Sequence, residues 1–229
     1  MPADIHPWLI YADDHLLAIN KPAGLRTLPD GYHPQVDHVL SLLQPQFGKL
    51  WVVHRLDKDT SGILLLARSA QAHRVINQQF DHRQVEKTYH ALILNSPHWQ
   101  EIILKFPLRV NGDRHHRTVI DFQKGKPAIT ACTILETFPS CALLQVQPKT
   151  GRTHQIRAHL AHINHPILGD DLYARSGVQK DHPPWSAVNR LALHAVSIHL
   201  SHPASGEPLT ITAPYAADFS AWLEQLRQG

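Results

Sequence analysis

The sequence predicts an α+β protein built on a long, mostly antiparallel mixed sheet with a few flanking helices. Three observations carry this expectation. Short apolar runs of strand length recur through most of the 229-residue chain. Few stretches show the i, i+3, i+4 spacing of an amphipathic helix. The runs are joined mainly by turn residues, not by the regularly alternating helices that a doubly wound parallel sheet needs. At 43% hydrophobic and 18% charged residues, the chain is too apolar to be disordered and long enough for one large core or two small lobes.

Taken in order, residues 8–11 and 16–19 are apolar runs split by Asp13-Asp14, a β-hairpin or two consecutive strands. Asn20-Lys21-Pro22-Ala23-Gly24 then turns the chain. Val36, Val39, Leu40 and Leu43 predict a helix with one buried face that stops at Pro45. Residues 51–53 and 63–67 are strand-length runs around a polar loop closed by Thr60-Ser61-Gly62. Over 70–80, Val75, Ile76 and Phe80 predict a second helix with Ser69 as its N-cap. Residues 85–94 alternate and then become apolar, as a central strand would. Residues 128–135 and 141–146 read as a strand pair across a turn at Phe138-Pro139-Ser140. A helix is expected to begin at Thr153, with Ile156, Leu160 and Ile163 on its buried stripe. Beyond a polar, Pro-rich connection at 176–186 come strands at 190–200 and 208–212. The last helix is expected to be N-capped by Asp218, with Phe219, Trp222, Leu223 and Leu226 as its apolar face.

Composition narrows the classes of function. A net charge of +3 and a pI near 8.9 permit a polyanionic partner without requiring one. Cys132 and Cys141 are too few for a secreted disulfide scaffold and suit a reducing cytosol. The start of the chain has no basic and apolar signal pattern, and no run of about 18 apolar residues occurs. The expectation is a cytoplasmic protein with no membrane contact. His159, His162 and His165 are spaced by threes, but one helical turn offers at most two of the ligands a closed metal site needs. No metal is expected. No Gly-rich phosphate loop or dinucleotide fingerprint is present either, so the expected chemistry needs no cofactor.

Three stretches carry chemistry. In the first, Asp57 sits on a loop braced by two apolar strands, with Arg55, Lys58 and Asp59 around it. An aspartate capping a turn is the common local reading; a nucleophile or base held ionised by neighbouring cations is the functional one. In the second, Tyr89 shares a strand face with Lys87, either as a core tyrosine or as part of a site. In the third, Lys149 and Arg152 crowd the start of the helix expected at Thr153. Positive charge is misplaced there for helix stability alone, so an anion or carboxylate partner is implied. Between these stretches, residues 105–126 hold six cations (Lys105, Arg109, Arg114, Arg117, Lys124, Lys126) against Asp113 and Asp121. This arm is either a solvated hairpin or a track along a phosphate backbone.

The run His54-Arg55-Leu56-Asp57-x-x-Thr60-Ser61-Gly62 resembles the central motif of the RluA family of RNA pseudouridine synthases without a mismatch. Asn20-Lys21-Pro22-x-Gly24, Glu86-Lys87-x-Tyr89, Thr150-Gly151-Arg152-Thr153-His154-Gln155-Ile156-Arg157 and the stretch from His165 to Tyr173 are similar to further motifs of that family. Asn164 and Ala174 replace glycines common there. The resemblance implies a pseudouridine synthase-like catalytic domain with a central cleft. Its core spans about residues 8–219 of a single domain over 1–229, with no N-terminal accessory RNA-binding domain. It also implies that Asp57 is the catalytic carboxylate, that Tyr89 stacks on the target base and is a candidate proton acceptor, and that Arg152 pairs with Asp57. Arg55 would fill or steer the vacated base position. RNA contacts are then expected from Arg55, Lys58, Lys87, Lys149 and Arg157, with Arg114 and Arg117 from the basic arm. The expected partner is ribosomal RNA or tRNA, bound by a monomer with no protein partner.

The reaction itself sets demands. The bond from uracil N1 to the ribose breaks, the base turns, and C5 joins the same sugar carbon, with no net gain or loss of atoms. A carboxylate can stabilise the cationic sugar carbon, trap it covalently or take a neighbouring sugar proton, and the sequence leaves these three open for Asp57. The base must also leave its stack to be reached. Two competing classes are a non-catalytic RNA-binding module of the same fold and a ribosidase using Asp57 with Asp59. The latter lacks a separate acid, because Asp59 lies on the same loop.

Overall fold

The computed structural model describes residues 6–29, 31, 33, 35–173 and 187–228. The connection expected over 176–186 and Ala174 lie outside the described residues. The chain forms β1 (Leu9–Ala12), β2 (Leu16–Lys21), α1 (Val39–Phe47), β3 (Trp51–Val52), β4 (Ser61–Ala67), α2 (Ala70–Asp81) and β5 (Glu86–Leu94). There follow β6 (Glu101–Leu104), β7 (Leu108–Arg109), β8 (Val119–Ile120), β9 (Thr130–Phe138) and β10 (Cys141–Pro148). The series closes with α3 (Gln155–His162), β11 (Leu193–Ser201), β12 (Pro208–Thr212) and α4 (Ala217–Gln228). The expected α+β class with a mostly antiparallel sheet is what forms. No described helix is long and apolar enough to cross a membrane. The chain divides into two compact units, residues Met1–Lys87 with Ala195–Tyr215, and Thr88–His194 with Ala216–Gly229.

In the first unit, β1 and β2 make the hairpin expected at the start, with Asp13 Oδ1 accepting the His15 and Leu16 N–H groups at 2.7 Å to close the turn. β2 pairs antiparallel with β4 from Leu16↔Ala67 to Lys21↔Gly62, and every residue of β4 is buried. This explains why residues 63–67 read as an unbroken apolar run: a strand covered on both faces needs no alternation. β3 lies beside the far end of β4 at Trp51↔Ala67 and Val52↔Leu66. α2 is capped as expected, Ser69 Oγ accepting the Ala72 N–H at 3.1 Å. Its buried Gln79 exchanges two hydrogen bonds with the Ser201 backbone at 2.8 and 2.9 Å, finishing the edge of β11 where the β12 pairing stops. α1 departs from expectation. It runs through Pro45 to Phe47, and Val36 lies outside it, exposed. A proline near the end of a helix removes one N–H without uncoupling the turns before it, and here the Gly48 N–H still closes on Gln44 O at 2.9 Å. Val39 and Leu43 are its buried residues.

In the second unit, β5 pairs with β10 from Leu94↔Cys141 to Tyr89↔Val146. β10 returns on β9, and β9 pairs on its other side with β6. The register between β9 and β10 shifts at Leu143/Leu144, which leaves Leu135 as an extra, exposed residue. α4 buries Phe219, Trp222, Leu223 and Leu226, the face expected. Asp218 sits inside its first turn and not at the N-cap. Its two carboxylate oxygens grip the Arg190 guanidinium at 2.6 Å each, a use more specific than capping.

Candidate active site

Asp57 belongs to the first unit, on the loop 53–60 between β3 and β4, and is half-buried. The loop backbone is pinned on both sides of it. Upstream, the β3 ladder ends at Val52, and His54 takes over: its Nε2 accepts the Leu65 N–H of β4 at 3.0 Å. An amide can only donate, so this nitrogen must be bare and the ring neutral. Burial, with the Lys87 ammonium nearby, pushes the His54 pKa down to about 3. Leu56, buried next to Asp57, both receives from and donates to Thr27 Oγ1, at 3.1 and 3.3 Å.

Downstream, Lys58 O accepts the Gly24 N–H at 2.9 Å and the Lys21 ammonium at 3.1 Å. Lys21 is fully buried and also donates to Pro22 O and Leu25 O, each at 2.8 Å. One buried cation thus ties the Asn-Lys-Pro turn to the residue after Asp57. The Thr60 N–H closes the loop on Asp57 O at 3.2 Å. Gly62 follows at φ +109°, where a Cβ would fall 2.2 Å from Ala195 O, so only glycine lets β4 start here. Arg55, Lys58 and Asp59 are exposed around this fixed centre. A carboxylate with its neighbours' backbones locked is preorganised for chemistry at one position.

The second unit holds the other two candidates. Tyr89 lies on β5 opposite Val146 and is 9% exposed. Arg152 lies on the turn between β10 and α3. It is half-buried, with its Nε donating to Pro127 O at 3.3 Å and its N–H to Gln155 Oε1 at 3.1 Å. Gln155 builds this turn. Buried, it accepts from the Thr150 hydroxyl at 2.7 Å and donates to Ile129 O at 3.0 Å and Thr130 Oγ1 at 2.9 Å. α3 begins at Gln155, two residues later than expected from Thr153. The delay arises because His154 turns the chain in the left-handed region at φ 51°, its ring Nδ1 lying 3.2 Å from the Tyr173 hydroxyl. His159 faces Thr130 Oγ1 and Phe106 O, each at 2.9 Å. His162 packs its ring on Phe106, and His165 bonds the Leu94 and Asn95 carbonyls. The three evenly spaced histidines therefore serve different packing contacts.

The cations expected to reach RNA fall into two groups. Arg55, Lys58, Arg114 and Lys149 are exposed. Lys87 lies over the Phe80 ring, 5.8 Å from its centroid, and burial lowers its pKa. Arg117 is spent on Asp113 at 2.6 Å and Leu172 O at 3.3 Å. Arg157 requires a correction. It is 8% exposed, forks onto both oxygens of the buried Asp170 at 2.8 Å and stacks on Tyr173 at 5.0 Å. With Nε and Nη2 committed to Asp170 and the side chain buried, Arg157 supports the fold where an RNA contact was expected. Lys21, Thr27 and Gln155 are the structural supports that the sequence did not single out. Lys21 had a signal, a lysine ending an apolar strand just before a turn rich in carbonyls; Thr27 had none.

An α+β chain with a mostly antiparallel sheet and a loop-borne, backbone-locked carboxylate is compatible with the family that the motifs resemble. Comparison with known proteins makes the class definite. Residues 15–162 match the family model described as RNA pseudouridylate synthase. The chain is 39% identical to the ribosomal large subunit pseudouridine synthase C of Vibrio cholerae serotype O1, over 99% of this chain and 71% of that one. It is 35% identical to the dual-specificity RNA pseudouridine synthase RluA of Escherichia coli strain K12, over 93% and 95%. Among solved structures, human RNA pseudouridylate synthase domain containing 4 superposes with a TM-score of 0.80 at 28% identity, covering 97% of this chain and 94% of that one. The chain belongs to the RNA pseudouridine synthase family, and it is an isomerase of uridines in RNA.

Proposed function

We propose that the uridines converted by this chain lie in large-subunit ribosomal RNA and that Asp57 is the carboxylate acting at the sugar carbon. The observation that carries the site is the locking of Leu56 and Lys58 on either side of Asp57, within a motif that fits the family at every defined position. Tyr89 is proposed to stack on the uracil and accept the C5 proton, directly or through water. Arg152 is proposed to hold Asp57 ionised and aimed through a charge-assisted pair. Both roles rest on the motif match. The proton lost from C5 is balanced by one gained at N1. Ribosomal RNA is favoured over tRNA because the relatives from Vibrio cholerae, Vibrio vulnificus, Buchnera aphidicola and Haemophilus ducreyi are named for the large ribosomal subunit.

The same reading has the protein act in the cytoplasm as a monomer. Cys132 and Cys141, both buried free thiols, fit a reducing compartment. Mapping pseudouridines in cells with and without the protein tests the substrate. Loss of defined positions from large-subunit RNA, restored on re-expression, is expected. Unchanged ribosomal RNA with positions lost from tRNA would move the substrate to tRNA.

A further inference from the structure

The basic arm between β6 and β9 holds a feature that its charge alone does not explain. Phe122 is 74% exposed, although it sits on one of the more tightly built loops of the second unit. Asp121 Oδ1 accepts the Gln123 and Lys124 N–H groups at 3.0 and 2.9 Å, and its Oδ2 holds Arg109 Nε at 2.6 Å. The Asp121 N–H donates to Pro107 O at 3.0 Å, and the Gly125 N–H returns to Asp121 O at 2.9 Å. Leu108 and Lys126 exchange both backbone bonds at 2.9 and 2.8 Å. A Cβ on Gly125 would fall 2.3 Å from Asp121 O, so the loop closes only around glycine.

The ring of Phe122 meets that of Phe106 in a T-shaped contact. Its centroid lies 6.5 Å from that of Phe106, with the ring planes at 90°. Phe106 is braced in turn by His162 at 4.6 Å. Lys105, next in sequence to Phe106, and Lys124 and Lys126, which follow Phe122 on the loop, are exposed, while the carboxylate of Asp121 is turned inward onto Arg109 and the loop amides. Isolated exposed apolar residues are ordinary, and Ile103 in the same unit is one. Phe122 differs in being a flat ring, held by a fixed loop and flanked by cations.

We propose that Phe122 is a stacking platform for an unpaired base of the RNA substrate, with Lys105, Lys124 and Lys126 holding the adjoining phosphates. Every base presents a π-face, so the contact selects single-stranded RNA over duplex without reading sequence. It rests on the reading of RNA as the substrate.

The test measures binding of a short fluorescent oligouridylate, and of an RNA duplex of the same length, to wild type, Phe122→Ala, Phe122→Leu, Phe122→Trp and Lys124→Ala/Lys126→Ala. Unchanged circular dichroism would show that each variant folds. Phe122→Ala and Phe122→Leu are both expected to weaken single-strand binding about tenfold, with an unchanged salt slope and little effect on the duplex. Phe122→Trp should bind as wild type does. The lysine pair should flatten the salt slope by about 1.4, the share of two phosphate contacts on a single strand. Affinity of Phe122→Ala within about twofold of wild type, or full affinity in Phe122→Leu, would overturn the platform. So would a change in sedimentation with unaltered RNA binding, which would mark a contact between copies. Should wild type convert uridine while Phe122 proves indifferent, only this inference fails; should wild type neither bind nor convert RNA, the substrate reading fails with it.

Discussion

Lys21 is fully buried yet spends its charge on three carbonyls, and one of them belongs to the residue after Asp57. Replacing it with methionine keeps the length and removes the donors, leaving Pro22 O and Leu25 O without this partner. Each buried acceptor left unsatisfied costs about 1–3 kcal/mol, so Lys21→Met should lower unfolding free energy by about 2–4 kcal/mol in urea titrations. As a positioning residue it should also lower kcat by about tenfold or more with little change in RNA affinity. A variant that lost stability alone, with kcat intact, would make Lys21 purely structural. Arg157 makes the opposite prediction. Arg157→Met should cost about 3–5 kcal/mol by stranding the buried Asp170, while the salt slope of RNA binding stays where it was. A slope reduced by about one counterion would return Arg157 to the RNA surface. At this scale the sequence was legible where a motif marks a loop, as over residues 54–62, whose backbone the structure pins at Leu56 and Lys58. It was least informative where a charged residue is buried, because charge patterns by themselves assign lysine and arginine to solvent, and Lys21 and Arg157 are exceptions made by partners distant in sequence.

At the scale of elements, legibility followed how evenly a segment is buried. α2 has one buried face and a serine cap, and its bounds came out within a residue of those expected. α3 does not. Its residues from Gln155 to Leu160 are all buried, so no polar face marks its phase, and its start is set by the side chain of Gln155 and the left-handed His154. α1 misled through Pro45, which a helix tolerates close to its end. β4 carries the sharpest element-level prediction. Gly62 combines a left-handed backbone with a contact that leaves no room for a Cβ, so Gly62→Ala has to shift β4 away from Ala195 or fail to fold. We expect a loss of at least about 3 kcal/mol, read from the urea midpoint. A midpoint close to wild type would show that the start of β4 yields easily, and the rigid framing of the Asp57 loop would then lose one of its supports.

For the molecule as a whole, 19 histidines make stability a function of pH, and the sign follows from burial. His54 is pushed down to about 3 and His90 to about 4 by desolvation, and His159 is lowered by the same cause. Below about pH 6.5 the unfolded chain takes up protons that these folded histidines refuse, so the stability they support is complete above that value and drains away as pH falls toward 4. Each contributes a slope of about 1.4 kcal/mol per pH unit within its window. His54→Gln, whose side-chain oxygen can still receive the Leu65 N–H, should flatten the profile by about one proton whatever its effect at pH 7. A profile with unchanged slope would contradict the neutral His54. The α+β class was readable from strand-length runs. The division into two compact units was not, because local patterns carry no record of which strands share a unit. The most direct measurement is tritium release from ribosomal RNA labelled at uracil C5, comparing wild type with Asp57→Asn. Wild type should release tritium without free uracil, and Asp57→Asn should bind the RNA yet release none; turnover of the variant within about tenfold of wild type, roughly 1.4 kcal/mol of barrier, would contradict a chemical role for Asp57.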